Sequence, residues 1–166
     1  MDPKCKRVVV LGTGGAARAI VTELALAGAS DVLVLNRSAA RGEEMVTDLA
    51  SKTNARIRFE PWQNTYPVPD DANILVNATS IGLYPDVDST PPVDLRGAHA
   101  GLLVCDVVFN PPETRLIAAA RERGLRVLNG LAMLVYQGVI GFELWTRQQA
   151  PESVMKQALR GALGLI

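Results

Sequence analysis

Short apolar runs that lack polar alternation are the feature that most constrains the fold of this chain. Strands of a parallel sheet are covered on both faces, so they read as continuous apolar runs. Six segments are predicted to be strands, and most of them are such runs: Arg7–Leu11, Asp31–Leu35, the weaker Arg56–Phe59, Asn73–Asn77, Leu102–Val108 and Leu125–Leu128. Because most of them alternate with helical segments, the pattern predicts an α/β fold. We expect a doubly wound, mostly parallel six-stranded sheet with helices on both faces.

Helices are predicted where apolar residues recur at spacings of three and four. The predicted helices are Ala16–Leu26, Ala39–Ala50, Glu113–Arg123, Leu131–Arg147 and Pro151–Leu163. Gly28 and Gly124 follow two of them as stop signals. Two stretches rich in Pro and Asp, Glu60–Asp71 and Tyr84–Gly101, are predicted to be loops, and long loops at strand ends are often functional.

Composition excludes several classes of protein. The 166 residues amount to one domain, and 17 basic residues balance 17 acidic ones, which argues against a basic face for nucleic acid. No apolar run reaches the length of a membrane span, and no secretion signal is visible, so a cytoplasmic protein is expected. Cys5, Cys105 and the single histidine, His99, form neither a disulfide framework nor a zinc-binding pattern, so no metal site is expected.

A glycine-rich turn follows the first predicted strand. Gly12-Thr13-Gly14-Gly15-Ala16-Ala17 fits the pattern G-x-G-x-x-G/A, with Ala17 in the last place. Gly12 would permit the tight turn, and Gly14 would let the backbone approach a pyrophosphate at the helix N-terminus. Because the strand and the helix flank the motif correctly, it predicts a Rossmann-like nucleotide site rather than an ordinary glycine turn.

The end of the second strand distinguishes between two nicotinamide cofactors. An NAD site usually carries an acidic residue there for the ribose 2′-hydroxyl. This chain has Asn36-Arg37-Ser38-Ala39-Ala40-Arg41 instead. With Ser38 as the predicted N-cap, Arg41 lies in the first helical turn, where a cation opposes the helix dipole unless an anion binds beside it. The arginines therefore favour the 2′-phosphate of NADP, although solvated surface cations are the alternative.

Polar residues near the later strand ends are further candidates. Thr79 and Ser80 follow the fourth strand, on the side where doubly wound folds bind ligands. Asp106 lies in an apolar run, so it requires a polar partner or a place at the ligand crevice. Met133 and Gln137 lie one helical turn apart and share a face, a pattern that is also common in ordinary packing.

Five segments together resemble the NADP-binding domain of the shikimate dehydrogenase family. They are Gly12–Ala17, Asn36–Ser38, Asn77–Gly82, Asp106–Pro111 and Asn129–Gln137, and their order and spacing agree across nearly the whole chain. The family reversibly reduces 3-dehydroshikimate to shikimate with NADPH, in aromatic amino-acid biosynthesis. The resemblance therefore implies a Rossmann-like NADP site and a small-molecule substrate.

The resemblance also implies roles for individual residues. The expected cofactor contacts are Gly12, Thr13, Gly14, Gly15 and Ala16 for the pyrophosphate, Asn36, Arg37, Ser38 and Arg41 for the 2′-phosphate, Thr79 and Ser80 for a ribose, and Val107, Gly130 and Met133 for the nicotinamide. The expected substrate contacts are Phe109 and Gln137. Phe109 stands where a tyrosine is usual, and Ala132 stands where a second glycine is common.

The family's catalytic lysine and aspartate belong to an N-terminal domain that has no counterpart here. Residues 1–150 are therefore expected to form the NADP-binding domain. No catalytic residue is expected within the chain, and the chain alone is expected to be inactive. The helix in residues 151–166 is expected to pack on the missing domain.

The sequence leaves alternative functions open, and it predicts an exposed apolar face on the last helix. One alternative is the nucleotide domain of glutamyl-tRNA reductase, and another is a non-enzymatic NADP-binding module; shikimate and quinate also remain open as substrates. The apolar residues of the last helix share one face: Val154, Met155, Ala158, Leu159 and Ala162. Without its partner, this face is expected to pair two chains or to leave the helix mobile or repositioned, unless the helix folds back locally.

Overall fold

A six-stranded parallel sheet forms the centre of the molecule, in a computed structural model that describes residues 1–165. The residues described contain eight strands, six of which form this main sheet. They are β1 (Arg7–Leu11), β2 (Asp31–Asn36), β3 (Arg56–Pro61), β4 (Tyr66–Pro67), β5 (Ile74–Asn77), β6 (Val93–Asp94), β7 (Leu103–Asp106) and β8 (Arg126–Leu128). The main sheet has the order β3–β2–β1–β5–β7–β8, and all its pairs are parallel. This doubly wound order confirms the predicted Rossmann-like fold class.

Five helices complete the domain. They are α1 (Gly15–Leu26), α2 (Ala39–Ala50), α3 (Arg115–Glu122), α4 (Leu131–Thr146) and α5 (Glu152–Ala162). The predicted bounds agree within two residues at each end. Ser38 caps α2 as predicted, since its side chain accepts a hydrogen bond from Arg41 N at 3.5 Å. Among the residues described, none of the helices is long and apolar enough to span a membrane.

Each face of the sheet has its own hydrophobic core. On one face α1 and α2 pack against β1 and β2, and the buried residues there include Val10, Ala17, Val21, Val34 and Met45. The other face is covered by α3 and by the two predicted loops, and its buried residues include Leu11, Trp62, Leu75, Leu102 and Leu116. Apolar side chains on both faces of β1 explain why its sequence shows no polar alternation.

Two features of the loops and strands differ from the prediction. The predicted loops contain β4 and β6, which pair in a separate two-stranded parallel sheet. Two residues are too short a run to carry a strand pattern in the sequence. The apolar run at Leu102–Val108 stops forming strand at Asp106, because the Asp106 carboxylate accepts a hydrogen bond from Val108 N at 3.0 Å and turns the chain.

The last two helices form a hairpin at one side of the domain. Met155 and Leu159 of α5 are half-buried, and a Cβ on Gly138 of α4 would lie 3.6 Å from Met155 Cε. The last helix therefore packs on α4 rather than on the sheet. Val154 on α5 and Trp145 on α4 are largely exposed, with 61% and 87% of their surface accessible. Association of two chains through this surface stays a prediction.

Asp31 at the start of β2 should make stability depend on pH. It is buried and pairs with Arg58 through hydrogen bonds of 3.0 and 2.8 Å, which lower the pKa of Asp31 below 3.8. The ionised form therefore stabilises the fold above pH 3.8, and this contribution is lost as the pH falls through the lowered pKa. Urea unfolding should show the stability difference between wild type and Asp31→Asn shrinking as the pH falls. A difference that stays constant at every pH would contradict this assignment.

Candidate functional site

The carboxyl ends of β1, β5 and β7 meet at one edge of the sheet. Leu11 at the end of β1 pairs with Asn77 at the end of β5, and Asn77 pairs with Asp106 at the end of β7. The segments that follow these strands are therefore neighbours in space. The strand order reverses between β1 and β5, and open α/β sheets bind their ligands at this position.

The glycine turn after β1 has the geometry that the motif predicts. Gly12 adopts φ +102°, a conformation that favours glycine, and its N–H donates to Leu35 O at 2.8 Å. A Cβ on Gly12 would lie 3.0 Å from Ala78 O, so the turn packs closely on the segment after β5. Beyond it, a Cβ on Gly14 or Gly15 would meet no protein atom within 4 Å. The backbone there is open to a ligand.

The N-terminus of α1 faces this opening and suits an anion. Gly14 is the N-cap residue and supplies no side-chain acceptor, and the first turn contains no acidic residue. The first N–H groups of an α-helix have no partner within the helix, and they carry a partial positive charge. Ala17 in this turn is fully buried against the sheet, which explains why a small residue occupies the last place of the motif.

Arg37 and Arg41 lie where the chain leaves β2 and enters α2. Both are exposed, and within residues 1–165 neither forms an ion pair. Asn36 donates from its side chain to Ser38 O at 3.1 Å, so it supports the turn that carries the arginines. No carboxylate occupies the end of β2, where an NAD site would have one. The arrangement leaves two positive charges available to an anionic ligand.

A buried polar cluster joins the ends of β5 and β7. Asp106 is 2% exposed and accepts hydrogen bonds from Asn77 Nδ2 at 3.0 Å, Val108 N at 3.0 Å and Thr114 Oγ1 at 2.7 Å. Burial raises the pKa of Asp106, and these three donors act in the opposite direction. Asp106 was predicted to have a polar partner or to lie at the ligand crevice, and the structure confirms the polar partners.

Asn77 extends this cluster toward the glycine turn. It is fully buried, and its Oδ1 accepts from Thr79 Oγ1 at 2.6 Å and from Thr79 N at 3.2 Å. Thr79 Oγ1 in turn accepts from Ile81 N at 3.1 Å, and Ser80 between them is exposed. Asn77 was not among the predicted site residues. An asparagine at the end of an otherwise apolar strand is the signal that could have identified it.

Gly130 and Val107 form a second close approach of two backbones. A Cβ on Gly130 would lie 2.4 Å from Val107 O and 2.6 Å from Val108 O, so only glycine fits there. The N–H of Val107 already donates to Asn77 O at 3.0 Å, which leaves its carbonyl as the group that can meet a ligand.

The remaining predicted residues lie around α4 and the segment after β7. Met133 and Gln137 share one face of α4, and with Ala16 and Ile20 they line a groove between α1 and α4. Phe109 is half-buried in the segment that follows β7. No group of three His, Cys, Asp or Glu side chains within residues 1–165 could hold a metal ion.

The fold and the site together define a Rossmann-type α/β domain with the glycine turn of dinucleotide sites. Residues 2–84 match the family model for shikimate/quinate 5-dehydrogenase, and residues 130–160 match the model for the shikimate 5′-dehydrogenase C-terminal domain. The chain belongs to the shikimate dehydrogenase family.

Similar proteins support this assignment. The NADP(+) shikimate dehydrogenase of Methanopyrus kandleri is 40% identical over 160 residues, which cover 95% of this chain and 55% of that protein. Ligand-free 5-ketofructose reductase of a Gluconobacter strain is 43% identical with a TM-score of 0.90, over 98% of this chain and 58% of that one. Thermus thermophilus shikimate 5-dehydrogenase in complex with NADP(H) and shikimate is 34% identical with a TM-score of 0.77, over 94% of this chain and 55% of that one. The chain thus spans a little over half the length of these relatives.

Proposed function

We propose that this chain is the NADP(H)-binding part of an oxidoreductase that interconverts 3-dehydroshikimate and shikimate. The observation that carries the proposal is the combination of an open glycine turn after β1 with two arginines after β2 that form no ion pair within residues 1–165. A pyrophosphate and a 2′-phosphate occupy these two positions in an NADP site of this fold. Relatives named for NADP and shikimate support the assignment.

The residues present fit NADP(H), which supplies the hydride when it is bound. The free N–H groups at the start of α1 would hold the pyrophosphate, and Arg37 and Arg41 would hold the 2′-phosphate. Thr79 and Ser80 would contact the ribose on the nicotinamide side. The carbonyl of Val107 would accept a hydrogen bond from the carboxamide, beside Gly130. Met133 would pack near the nicotinamide ring.

The substrate and the proton-transfer groups would be completed by polypeptide outside these 166 residues. The similar proteins are nearly twice as long, so they have room for a second domain. We propose that residues 1–150 form the cofactor domain and that the helix in residues 151–166 packs on the second one. Phe109 and Gln137 would contribute this chain's part of the substrate site.

A keto sugar is the second candidate substrate. The 5-ketofructose reductase of Gluconobacter is similar to this chain at 43% identity with a TM-score of 0.90, and this observation favours a polyhydroxylated ketone of that type. Either substrate requires the same cofactor chemistry. Membership of the shikimate dehydrogenase family favours both over the glutamyl-tRNA reductase alternative.

Substitution of both arginines tests the cofactor assignment. Wild type is expected to bind NADP far more tightly than NAD, because only NADP carries the 2′-phosphate. Each charge-assisted contact contributes roughly 1.5 kcal/mol or more, so Arg37→Ala/Arg41→Ala should weaken NADP binding about 100-fold and NAD binding hardly at all. Isothermal titration calorimetry with both cofactors measures this.

The matched control replaces two exposed arginines at the opposite ends of strands. Arg56 and Arg126 begin β3 and β8, at the amino edge of the sheet. Arg56→Ala/Arg126→Ala should leave NADP affinity unchanged. Equal wild-type affinities for NADP and NAD would refute the assignment, as would full NADP affinity in Arg37→Ala/Arg41→Ala.

A further inference from the structure

The Asp106 carboxylate joins three chain segments through hydrogen bonds: the end of β5, the turn after β7 and the start of α3. Its Oδ1 accepts from Asn77 and from Val108 N, and its Oδ2 accepts from Thr114, whose own Oγ1 accepts from Ile117 N at 3.3 Å at the start of α3. With 2% exposure and both carboxylate oxygens accepting hydrogen bonds from the protein, Asp106 has little free surface for a substrate or a cofactor. Any effect of Asp106 on the candidate site must act through these partners.

Asn77 is the partner that leads to the site. Its amide group is oriented by two acceptors, Asp106 Oδ1 at 3.0 Å and Ile81 O at 3.3 Å. With the amide nitrogen held there, Asn77 Oδ1 faces Thr79 and accepts from both its N–H and its hydroxyl. Without Asp106, only the longer contact to Ile81 O would hold the Asn77 amide nitrogen, so the two hydrogen bonds that Thr79 donates to Asn77 Oδ1 would be weakened.

The turn held by Asn77 belongs to one half of the dinucleotide site only. In a doubly wound sheet the two mononucleotides lie on opposite sides of the position where the strand order reverses. The β1–β2–β3 side carries the 2′-phosphate position, so the adenosine half lies there. The ends of β5 and β7, where Asn77 and Asp106 lie, therefore serve the nicotinamide half.

We propose that Asp106 is a positioning residue which, through Asn77, holds the turn at residues 79–81 in the shape that binds the nicotinamide half of the cofactor. This inference rests on the proposed function. It predicts an effect on one half of the cofactor alone, which a general loss of stability would not produce.

The test compares two ligands in the same variant. NADPH contains both halves, whereas adenosine 2′,5′-bisphosphate contains only the adenosine half with its 2′-phosphate. Asn77→Ala removes the link while leaving Asp106 two of its three donors. It should weaken NADPH binding about tenfold and bisphosphate binding less than twofold. The change in NADPH fluorescence on binding should also fall, because that signal comes from the nicotinamide ring.

Two further variants separate positioning from folding. Asp106→Ala should reproduce the selective loss, and Asp106→Ala/Asn77→Ala should add little to either single change, because both remove the same link. Thr114→Val is the matched control, since it deletes a hydrogen bond to Asp106 on the α3 side and keeps the bond to Asn77. It should lower stability but leave the ratio of the two dissociation constants unchanged.

Each outcome distinguishes the two proposals. Wild-type protein that binds neither ligand overturns the proposed function, and the positioning role falls with it. Wild-type protein that binds both, with Asn77→Ala weakening them equally or not at all, overturns the positioning role alone. If Asp106→Ala does not fold, Asn77→Ala and Thr114→Val still decide the question. Selective loss in Thr114→Val as large as in Asn77→Ala would also overturn it.

Discussion

The 166-residue chain on its own is expected to oxidise shikimate at no measurable rate, even with saturating NADP. Transfer of a hydride between an alcohol and a nicotinamide requires a group that takes or gives the hydroxyl proton, which contributes typically 10²–10⁴-fold. Correct placement of the substrate contributes several further orders of magnitude. We propose that both functions belong to polypeptide outside this chain, so both would be lost together.

Four titratable residues of the chain are badly placed to substitute for these groups. Lys52 pairs with Asp48 on α2, and Lys156 pairs with Glu152 on α5. His99 lies before β7 at the amino edge of the sheet, where its Nε2 meets Ala72 O at 2.9 Å. Asp106 is 2% exposed, and its carboxylate accepts three hydrogen bonds from the protein.

The assay follows NADPH absorbance with the purified chain and shikimate. Calorimetric binding of NADP to the same sample shows that the cofactor site is folded, so that inactivity cannot be attributed to misfolded protein. Turnover that copurifies with the chain and disappears in Arg37→Ala/Arg41→Ala would contradict the two-part account. It would also require a proton acceptor within residues 1–166.

Alanine at position 130 is expected to be among the most damaging single substitutions in the chain. The new Cβ would overlap Val107 O at 2.4 Å and Val108 O at 2.6 Å, and these are backbone atoms that no rotamer change can move. Overpacking against movable neighbours costs about 1–3 kcal/mol, and this site has none, so we expect a loss of about 3 kcal/mol or more. Because Gly130 is the N-cap residue of α4, the strain should separate the α4–α5 hairpin from the sheet.

Gly138→Ala lies within α4 and provides a control, because this substitution is expected to raise stability rather than lower it. Its Cβ would meet only Met155 Cε at 3.6 Å, an ordinary contact, and alanine in a helix interior is favoured by roughly 0.5–1 kcal/mol over glycine. Urea unfolding gives both stabilities, and hydrogen exchange reports whether residues 131–162 lose protection first in Gly130→Ala. Equal stability of the two variants would show that the segment after β7 moves aside without cost.

Local patterns were sufficient to predict the five helices, the six strands of the main sheet and the position of the glycine turn. The glycine turn and Arg37 follow directly from residue type and from a place after a strand, so they needed no knowledge of long-range contacts. The pairing of Asn77 with Asp106 joins residues 29 positions apart and depends on which strands are neighbours. The sequence showed only that Asp106 requires a partner. Residue type could mark Asn77 as a candidate, but its pairing with Asp106 could not be predicted, because strand order is set by the packing of the whole sheet.

The position of the last helix illustrates a second limit. Its apolar face was evident from spacing, but α4 is apolar on several faces and could accept it in more than one way. The structure places Met155 beside Gly138, where a small residue permits close approach. The same spacing is equally compatible with a partner outside the chain, so periodicity alone identifies a face and not its neighbour.

The central place of β1 has a consequence for how the chain folds during synthesis. Among the strands described, β1 is synthesised before the others, and its partner β2 follows within some 25 residues, since Val8 pairs with Val32. The other edge of β1 stays unpaired until β5 has been synthesised, because Val8 also pairs with Ile74. Within residues 1–165 every strand pair is parallel, so no β-hairpin there can shorten this delay. We therefore expect the nascent chain to expose the apolar edge of β1 until residue 77 has been synthesised, and to fold slowly for its size.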